Sequence, residues 1–164
     1  MSENIIYIKT NNHKTIPDAE CYILDTSLED DFLSNFINNA NKTNKLTLFY
    51  GKDEQSYAKR FGATGIIIDT SILTTPIYDL KPIRKALGKD TIVGLITRNR
   101  RHETMLNAEL EPDFIIFKLW QDGLDKTTEL LDWYNDFFLI QSAIFPLEDV
   151  DTSSVTADFL IKTI

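Results

Sequence analysis

Polar and titratable side chains directly follow short apolar runs along this chain of 164 residues. Carboxylates that meet at one place can hold a hard cation such as Mg²⁺, and lysines there can hold a phosphate. Two carboxylates, Asp25 and Asp69, and several lysines occupy such positions. Any chain also needs polar residues where it leaves a core, and opposite charges there can simply pair. The set is Lys9, Asp25, Lys52 with Asp53, Asp69 with Thr70 and Ser71, Thr97 with Arg98, Lys118, Gln141 with Ser142, and Lys162.

Nucleophilic catalysis finds little support among the residue types. The two histidines, His13 and His102, fall in a predicted loop and near a predicted helix start, so a triad built on histidine is not expected. The single cysteine, Cys21, lies within an apolar run, where a buried and unreactive thiol is the usual outcome. One cysteine also excludes an internal disulfide and a cysteine-based zinc site.

Composition and charge indicate an acidic globular protein. Hydrophobic residues make up 43% of the chain and charged residues 26%, and the formal net charge is -8. An acidic chain repels phosphate backbones, so we expect no nucleic-acid partner. One candidate basic patch, Arg98, Arg100, Arg101 and His102, is interpreted as a solvated helix start. No apolar run approaches the roughly 20 residues of a membrane span, and the N-terminus lacks the pattern of a signal peptide. We therefore expect a soluble, cytoplasmic protein with no membrane partner.

Alternating apolar runs and helical segments position the polar residues described above. The alternation is clearest over Lys45–Phe117, where four strand-like runs enclose three helical segments. Runs that are apolar at nearly every position predict strands buried on both faces of a parallel sheet. The predicted strands are Asn4–Thr10, Glu20–Thr26, Leu46–Tyr50, Gly65–Ile68, Ile92–Thr97, Phe114–Lys118, Phe137–Ile144 and Phe159–Ile164.

Helical spacing between these runs predicts five helices. Arg100–Leu110 is expected to bury Met105 and Leu106, and Leu124–Tyr134 is expected to bury one apolar face. The predicted helix N-caps are Ser27, Asp53 and Asp79. Two segments, Asn11–Ala19 and Asp69–Tyr78, are predicted as loops, and Leu147–Ala157 as at most a short helix.

Eight strands that alternate with helices predict a reduced (β/α)₈ TIM barrel with parallel strands, formed by a single domain over residues 1–164. The usual barrel has about 250 residues, so some outer helices must be short or missing. A doubly wound open sheet is the structural alternative, but no glycine-rich phosphate fingerprint follows any strand. Chemistry in such barrels lies at the C-terminal ends of the strands, which is where the polar set falls.

The central stretch resembles the thiamine phosphate synthase family. Ala58–Ile68, which reads AKRFGATGIII, is similar to the family's A-x-x-x-G-A-D-G-V-H-L. Ile83–Gly88 and Ile92–Gly94 are similar to its a-R-x-x-L-G and i-I-G-x-S, and Pro112–Phe117 is similar to its a-D-Y-v-x-x-G. The order and approximate spacing of these motifs hold over about half of the chain, mostly at helix–strand junctions.

The resemblance implies a (β/α)₈ barrel and, in active members, condensation of an aminopyrimidine diphosphate with a thiazole phosphate, with Mg²⁺ at the pyrophosphate. The family's metal-binding aspartate after the third strand falls on Asp53, a residue that can also be only a helix N-cap. Its second metal-binding aspartate falls near Ile72, in a longer loop, and its serine after the fifth strand falls on Ile96 beside Thr97.

The phosphate-handling segments of the family have no counterpart in this chain. The T-x-x-K segment after the sixth strand has no match in Leu119–Gly123, and the Gly-Gly-Ile loop after the seventh is replaced by Gln141–Ile144. Without glycine-rich backbone nests, a phosphate loses most of its N–H donors. The related thiazole tautomerase branch matches no better, because no histidine follows the sixth strand.

Three functional hypotheses follow. The first is a diverged member without synthase activity that acts as a small-ligand-binding or interaction protein, with a small phosphate-bearing molecule as its ligand. The alternative is an active thiamine phosphate synthase-type transferase, or another Mg²⁺-dependent phosphate-ligand enzyme, with metal ligands Asp53 and Asp69 and phosphate bound by Lys118 or Lys9. The third is a structural or regulatory subunit without a ligand. Under each, a homodimer is expected to cover the flanks left by the missing helices. The candidate ligand-binding residues are Lys9, Asp25, Asp69, Thr97 and Lys118.

Overall fold

The computed structural model describes residues 2–12 and 15–164. Within them, eight strands hydrogen-bond in chain order to form a closed parallel barrel, accompanied by five α-helices. This confirms the predicted reduced (β/α)₈ TIM barrel. The strands are β1 (Glu3–Ile8), β2 (Cys21–Asp25), β3 (Leu46–Tyr50), β4 (Gly65–Asp69), β5 (Ile92–Ile96), β6 (Phe114–Leu119), β7 (Gln141–Pro146) and β8 (Phe159–Thr163). The helices are α1 (Asp30–Lys42), α2 (Glu54–Phe61), α3 (Lys81–Leu87), α4 (Arg101–Glu109) and α5 (Leu124–Phe137), and a 3₁₀ turn covers Thr70–Ile72.

The strands form where the sequence is apolar at consecutive positions. All five residues of β4 are buried, as are the first four residues of β6. Burial of successive residues, whose side chains point to opposite faces, shows that both faces of the sheet are covered. The last residue of the chain pairs with the first strand, because Ile164 N donates to Tyr7 O at 2.8 Å and Lys9 N donates to Ile164 O at 3.1 Å.

The described residues divide into two compact units. One unit consists of residues 4–68, 81–93 and 162–164. In it, α1 buries Leu33, Ile37 and Ala40, which lie on one face of the helix at spacings of three and four residues. The ring of Phe49 on β3 packs between two rings of α2, 5.5 Å from Tyr57 and 5.9 Å from Phe61. The assignment of residues 1–164 to a single domain stays a prediction.

The other unit consists mainly of residues 69–80 and 94–161. Its α5 buries Leu130, Leu131 and Tyr134, as the helical spacing predicts. The Tyr134 ring lies 5.4 Å from Phe117 of β6, and its hydroxyl donates to Ile140 O at 2.8 Å. These contacts fix α5 against the strand that ends near the candidate site.

The predicted start of the seventh strand is wrong. Phe137 is the last residue of α5, Leu139 is fully exposed, and β7 begins at Gln141. Residues 137 and 138 are both phenylalanine, and aromatic residues are enriched in strands, so their type alone is compatible with the predicted strand start. In the structure the ring of Phe138 instead stacks on Tyr134, 5.0 Å away, and closes the end of the helix.

The predicted inward face of α4 is also wrong. Met105 and Leu106 are exposed, and the helix buries Thr104, Asn107 and Ala108 instead. The prediction assumed that apolar residues mark the buried face. Here the buried polar side chains have hydrogen-bond partners beneath the helix, which removes the penalty for burying them.

Ser27 does not cap α1. Glu29 occupies the cap position without a side-chain hydrogen bond, while Ser27 N donates to Asp25 Oδ1 at 2.9 Å in a tight turn after β2.

The shortage of outer helices is confirmed within the described part of the chain, because residues 9–12, 15–20 and 147–158 contain no helix. Of the predicted loop Asn11–Ala19, residues 13 and 14 lie outside the described residues.

No helix among the described residues is long and apolar enough to cross a lipid bilayer.

Cys21 is the first residue of β2, and burial raises the pKa of its thiol to about 12. A thiol with that pKa is almost entirely protonated near neutral pH, which agrees with the expected unreactive role, but Cys21 is half-buried and not buried as expected.

Candidate functional site

A buried ion pair joins the C-terminal ends of β4 and β6. Lys118 Nζ lies 2.5 Å from Asp69 Oδ2, and the two side chains are 15% and 5% exposed. Because β5 separates these two strands in the barrel order, the contact spans the end of β5. Both residues were predicted as ligand-binding candidates, and the structure brings them together. The same contact agrees with the alternative stated above, that opposite charges at strand ends simply pair with each other.

Ser71 completes this cluster. Its backbone N–H donates to Asp69 Oδ1 at 3.0 Å, its hydroxyl donates to the same oxygen, and Lys118 Nζ lies 3.4 Å from Ser71 Oγ. The Asp69 side chain thereby caps the 3₁₀ turn that begins at Thr70. Both carboxylate oxygens therefore have donors, which compensates for the burial of the negative charge. We call Asp69, Ser71 and Lys118 the strand-end cluster.

Thr70 connects this cluster to α4. Its hydroxyl donates to Ile96 O at 2.6 Å and accepts a hydrogen bond from Asn107 Nδ2 at 3.0 Å. These bonds explain why α4 turns Asn107 inward, although the side chain is polar. Thr70 and Ser71 belong to the predicted strand-end set, whereas Asn107 was not singled out by the sequence analysis.

Thr97 and Arg98 follow β5. The Thr97 side chain is buried, its hydroxyl donates to Arg98 O at 2.9 Å, and it lies 3.5 Å from Thr104 Oγ1. The Thr97 hydroxyl, which was predicted as a ligand-binding group, therefore hydrogen-bonds to the protein itself near the start of α4. Arg98 is exposed, and its Nε donates to Ser71 O at 3.2 Å, which places a second cationic side chain beside the strand-end cluster.

Asn99 was not singled out by the sequence analysis. Its Nδ2 donates to Lys118 O at 2.8 Å and to Thr127 Oγ1 at 3.2 Å, so the side chain ties the end of β6 to α5. Its Oδ1 is buried and has no hydrogen-bond partner among the described residues. Asn99 therefore helps to hold the backbone that carries Lys118.

A tyrosine–carboxylate pair occupies the other unit. The hydroxyl of Tyr7 on β1 donates to Asp25 Oδ2, and the Tyr7 ring lies 5.6 Å from the ring of Tyr50. Burial, together with the hydrogen bond and negative charge of Asp25, raises the pKa of Tyr7 well above its usual range. Asp25, a predicted ligand candidate, is thus already bonded to Tyr7 and to Ser27 N. In the sequence, Tyr7 is distinguished only as the one hydroxyl-bearing residue of the run NIIYI, which does not indicate its bond to Asp25.

The candidates Lys9 and Asp53 are exposed. Asp53 stands at the N-cap position of α2 with φ of 58° and makes no side-chain cap bond, so its predicted capping bond is not formed. No group of three or more histidine, cysteine, aspartate or glutamate side chains within residues 2–12 and 15–164 is arranged to hold a metal ion. At Asp69, a Mg²⁺ ion would compete with Lys118 for the carboxylate.

Gln141 and Ser142 lie at the wrong end of their strand for the predicted role. They begin β7 instead of following it. Ser142 is buried, with its N–H donating to Asp158 Oδ2 at 2.9 Å and its hydroxyl donating to Asn135 Oδ1 at 3.1 Å. Because β7 ends at Pro146, two residues beyond the predicted end, the segment that follows it is Leu147–Asp149. Lys162 lies within β8 and is exposed.

A cavity of about 550 Å³ adjoins the strand-end cluster through Thr70 and Arg98. One wall is the loop that follows β4 and the other is α4. Its lining residues are Thr70, Leu73, Thr74, Pro76, Ile77, Tyr78, Arg98, Glu103, Leu106, Asn107, Glu109 and Leu110.

Comparison with known proteins supports the fold alone. The chain is similar to the crystal structure of KGPDC from Streptococcus mutans, with a TM-score of 0.56 and 10% sequence identity over 99% of this chain and 87% of that one. No family model matches the sequence, and no curated protein matches it significantly. The class defined by fold and site is therefore a TIM barrel with a buried carboxylate–lysine cluster at its strand ends.

Proposed function

We propose that this barrel binds a small phosphate-bearing molecule at the strand-end cluster and has lost the synthase chemistry of the family it resembles. The observation that carries the proposal is the position of Lys118, which is largely buried, lies at the C-terminal end of β6, and has Asp69 and Ser71 as partners. This is the end of a TIM barrel at which ligands bind.

The Lys118 ammonium retains capacity for a ligand. A lysine has three N–H donors, and within the part of the chain that the structure describes two of them face Asp69 and Ser71. A charge-assisted bond to a phosphate oxygen is about twice as strong as a neutral one. Arg98, held by Ser71 O, supplies a second cationic group next to the cluster. The Asp69 carboxylate holds the Lys118 side chain in place. It also offsets part of the lysine's positive charge, which weakens the attraction of Lys118 for an anionic ligand.

The segments that follow β6 and β7 support the loss of synthase activity. Instead of a glycine-rich loop, β7 is followed by Leu147, Glu148 and Asp149. The Glu148 carboxylate accepts a hydrogen bond from Gln121 N at 2.6 Å, in the segment after β6. A backbone N–H that could face a phosphate is thus occupied by a carboxylate, which also repels a dianion.

A thermal-shift titration with inorganic phosphate tests the binding proposal. Phosphate at about ten times its dissociation constant should stabilise the protein by about 1.4 kcal/mol, which raises Tm by about 3–6 °C for a domain of this size. Lys118→Met should remove this rise, whereas Lys126→Met, a change at an exposed position on α5, should keep it. Equal rises in all three proteins would reflect a general salt effect and would contradict the proposal.

A second experiment tests the proposed loss of activity. The chain is incubated with Mg²⁺, the aminopyrimidine diphosphate and the thiazole phosphate, and release of pyrophosphate is followed. We expect none above the background without protein. Turnover that depends on Asp53 or Asp69 would instead establish the Mg²⁺-dependent transferase as the function.

A further inference from the structure

The cavity between α4 and the loop after β4 is lined by no member of the strand-end cluster. Its volume of about 550 Å³ falls within the roughly 300–1,000 Å³ typical of small-molecule pockets. Among residues 2–12 and 15–164, the charged groups that line it are the carboxylates of Glu103 and Glu109 and the guanidinium of Arg98. Arg98 donates its Nε to Ser71 O at 3.2 Å. The lining therefore carries an excess of negative charge, which favours a cation over an anion.

Asn107 has an unused hydrogen-bond acceptor at this cavity. The residue lines the cavity and is only 9% exposed. Its Nδ2 donates to Thr70 Oγ1 at 3.0 Å, and Thr70 Oγ1 donates its own proton to Ile96 O at 2.6 Å. Because that proton is already used, Thr70 can only accept from Asn107, which fixes the end of the amide that faces Thr70.

The other end of the Asn107 amide lacks a partner. Its Oδ1 accepts no hydrogen bond from the residues that the structure describes. A polar atom of a largely buried side chain normally has a partner, and leaving it without one costs free energy. A ligand with an N–H donor in the cavity would supply the missing bond.

Glu103 can provide the counter-charge for such a donor. It precedes Asn107 by four residues on α4, so the two side chains lie on the same face of the helix. The Glu103 carboxylate lies 3.8 Å from Arg100 Nη1, and the Arg100 side chain is 73% exposed. An ion pair this long and this exposed contributes little, so the carboxylate remains available to a ligand. Glu109 forms no ion pair within the part of the chain that the structure describes.

The loop wall offers apolar cover for the rest of a ligand. Leu73, Pro76 and Ile77 line it together with Tyr78, which is 83% exposed. On the helix wall, Leu106 is 46% exposed. An aromatic ring between the two walls would remove apolar area from water on both sides and could pack against the Tyr78 ring.

We propose that this cavity is a second binding site, which takes a primary amine with an aromatic group. The ammonium donates to Asn107 Oδ1 and pairs with Glu103, and the ring lies between Tyr78 and Leu106. A quaternary ammonium has no N–H to donate, and an alcohol has no charge to pair. The proposal is independent of phosphate binding at Lys118, so either one can fail without the other.

Calorimetric titration of the wild-type chain with 2-phenylethylamine and two analogues tests the proposal. Charge-assisted hydrogen bonds are about twice as strong as neutral ones, so the amine should bind at least about fivefold more tightly than 2-phenylethanol. The N,N,N-trimethyl derivative of the amine keeps the charge without an N–H, and it should also bind at least about fivefold more weakly than the amine. Equal affinities for the amine and its trimethyl derivative would refute the role of Asn107. No saturable heat from the amine at millimolar concentration would refute the site.

A matched pair of charge removals locates the bound amine. Glu103→Gln should weaken the binding of 2-phenylethylamine by about fivefold and leave that of 2-phenylethanol unchanged. Glu129→Gln removes the same charge from an exposed position on α5, away from the cavity lining, and should change neither affinity. Equal weakening by both substitutions would show that the amine responds only to the general field of a chain with net charge -8, and the cavity assignment would be wrong.

Discussion

Replacing Lys118 by methionine would leave the Asp69 carboxylate buried without its counter-charge. The Asp69 side chain is 5% exposed and the Lys118 side chain 15% exposed, so neither charge can be rehydrated without local opening. Methionine keeps most of the volume of the lysine stem and removes only the charge and its donors. The change therefore isolates the electrostatic role of Lys118.

The expected cost follows from the burial of the pair. Removing one partner of a buried ion pair typically destabilises a protein by about 3–5 kcal/mol. Asp69 would still accept two hydrogen bonds from Ser71, and we therefore expect about 2–4 kcal/mol for Lys118→Met. Asp30 pairs with Arg60 at an exposed site, with side-chain exposures of 54% and 60%. Breaking that pair by Asp30→Asn should cost less than about 1 kcal/mol.

Urea unfolding followed by circular dichroism measures these free energies of unfolding. A double variant, Lys118→Met with Asp69→Leu, replaces both charges by apolar groups and should recover most of the loss. Such recovery would show that the cost of the single change is that of an unpaired buried carboxylate. If Lys118→Met costs no more than Asp30→Asn, the pair is not buried as described and the reasoning is refuted.

Three further predictions concern the rest of the barrel. Because the pKa of Tyr7 is raised in the folded state, the protein should lose stability as pH rises above 10.0, the tyrosine's ordinary value, and Tyr7→Phe should make this loss less steep in urea unfolding at pH 8 and at higher pH. Gly94→Ala should destabilise by about 1–3 kcal/mol, since a Cβ there would lie 2.6 Å from the Phe114 ring, and an unchanged urea midpoint would contradict this. The homodimer stays a prediction, for which size-exclusion chromatography at two concentrations should give the mass of two chains, and a monomer at both would exclude it.

The sequence was sufficient for the barrel because nearly every strand consists of consecutive apolar residues. Leu46–Tyr50 was predicted with its observed boundaries, and the other strands except β7 within a few residues. The start of β7 failed where aromatic residues at 137–138 serve a helix end instead of a strand. Local propensity cannot decide that case, since it depends on the stacking of Phe138 against Tyr134.

The candidate site was only partly predictable for a related reason. Asp69 and Lys118 were both named, but their pairing depends on a separation of 49 residues along the chain, which the sequence does not reveal. The burial of Asn107 and Thr104 on α4 was not predicted, because it depends on partners from Thr70 and Thr97. Polar side chains with distant partners are the ones that patterns of hydrophobicity misplace.

Isothermal titration calorimetry of inorganic phosphate into the wild-type chain and into Lys118→Met tests the central claim most directly. We expect saturable heat for the wild-type protein, and none for the folded variant at the same concentrations. Equal saturable binding by both proteins would show that Lys118 is not the phosphate ligand. No binding by the wild-type chain would contradict the proposal that the strand-end cluster receives a phosphate.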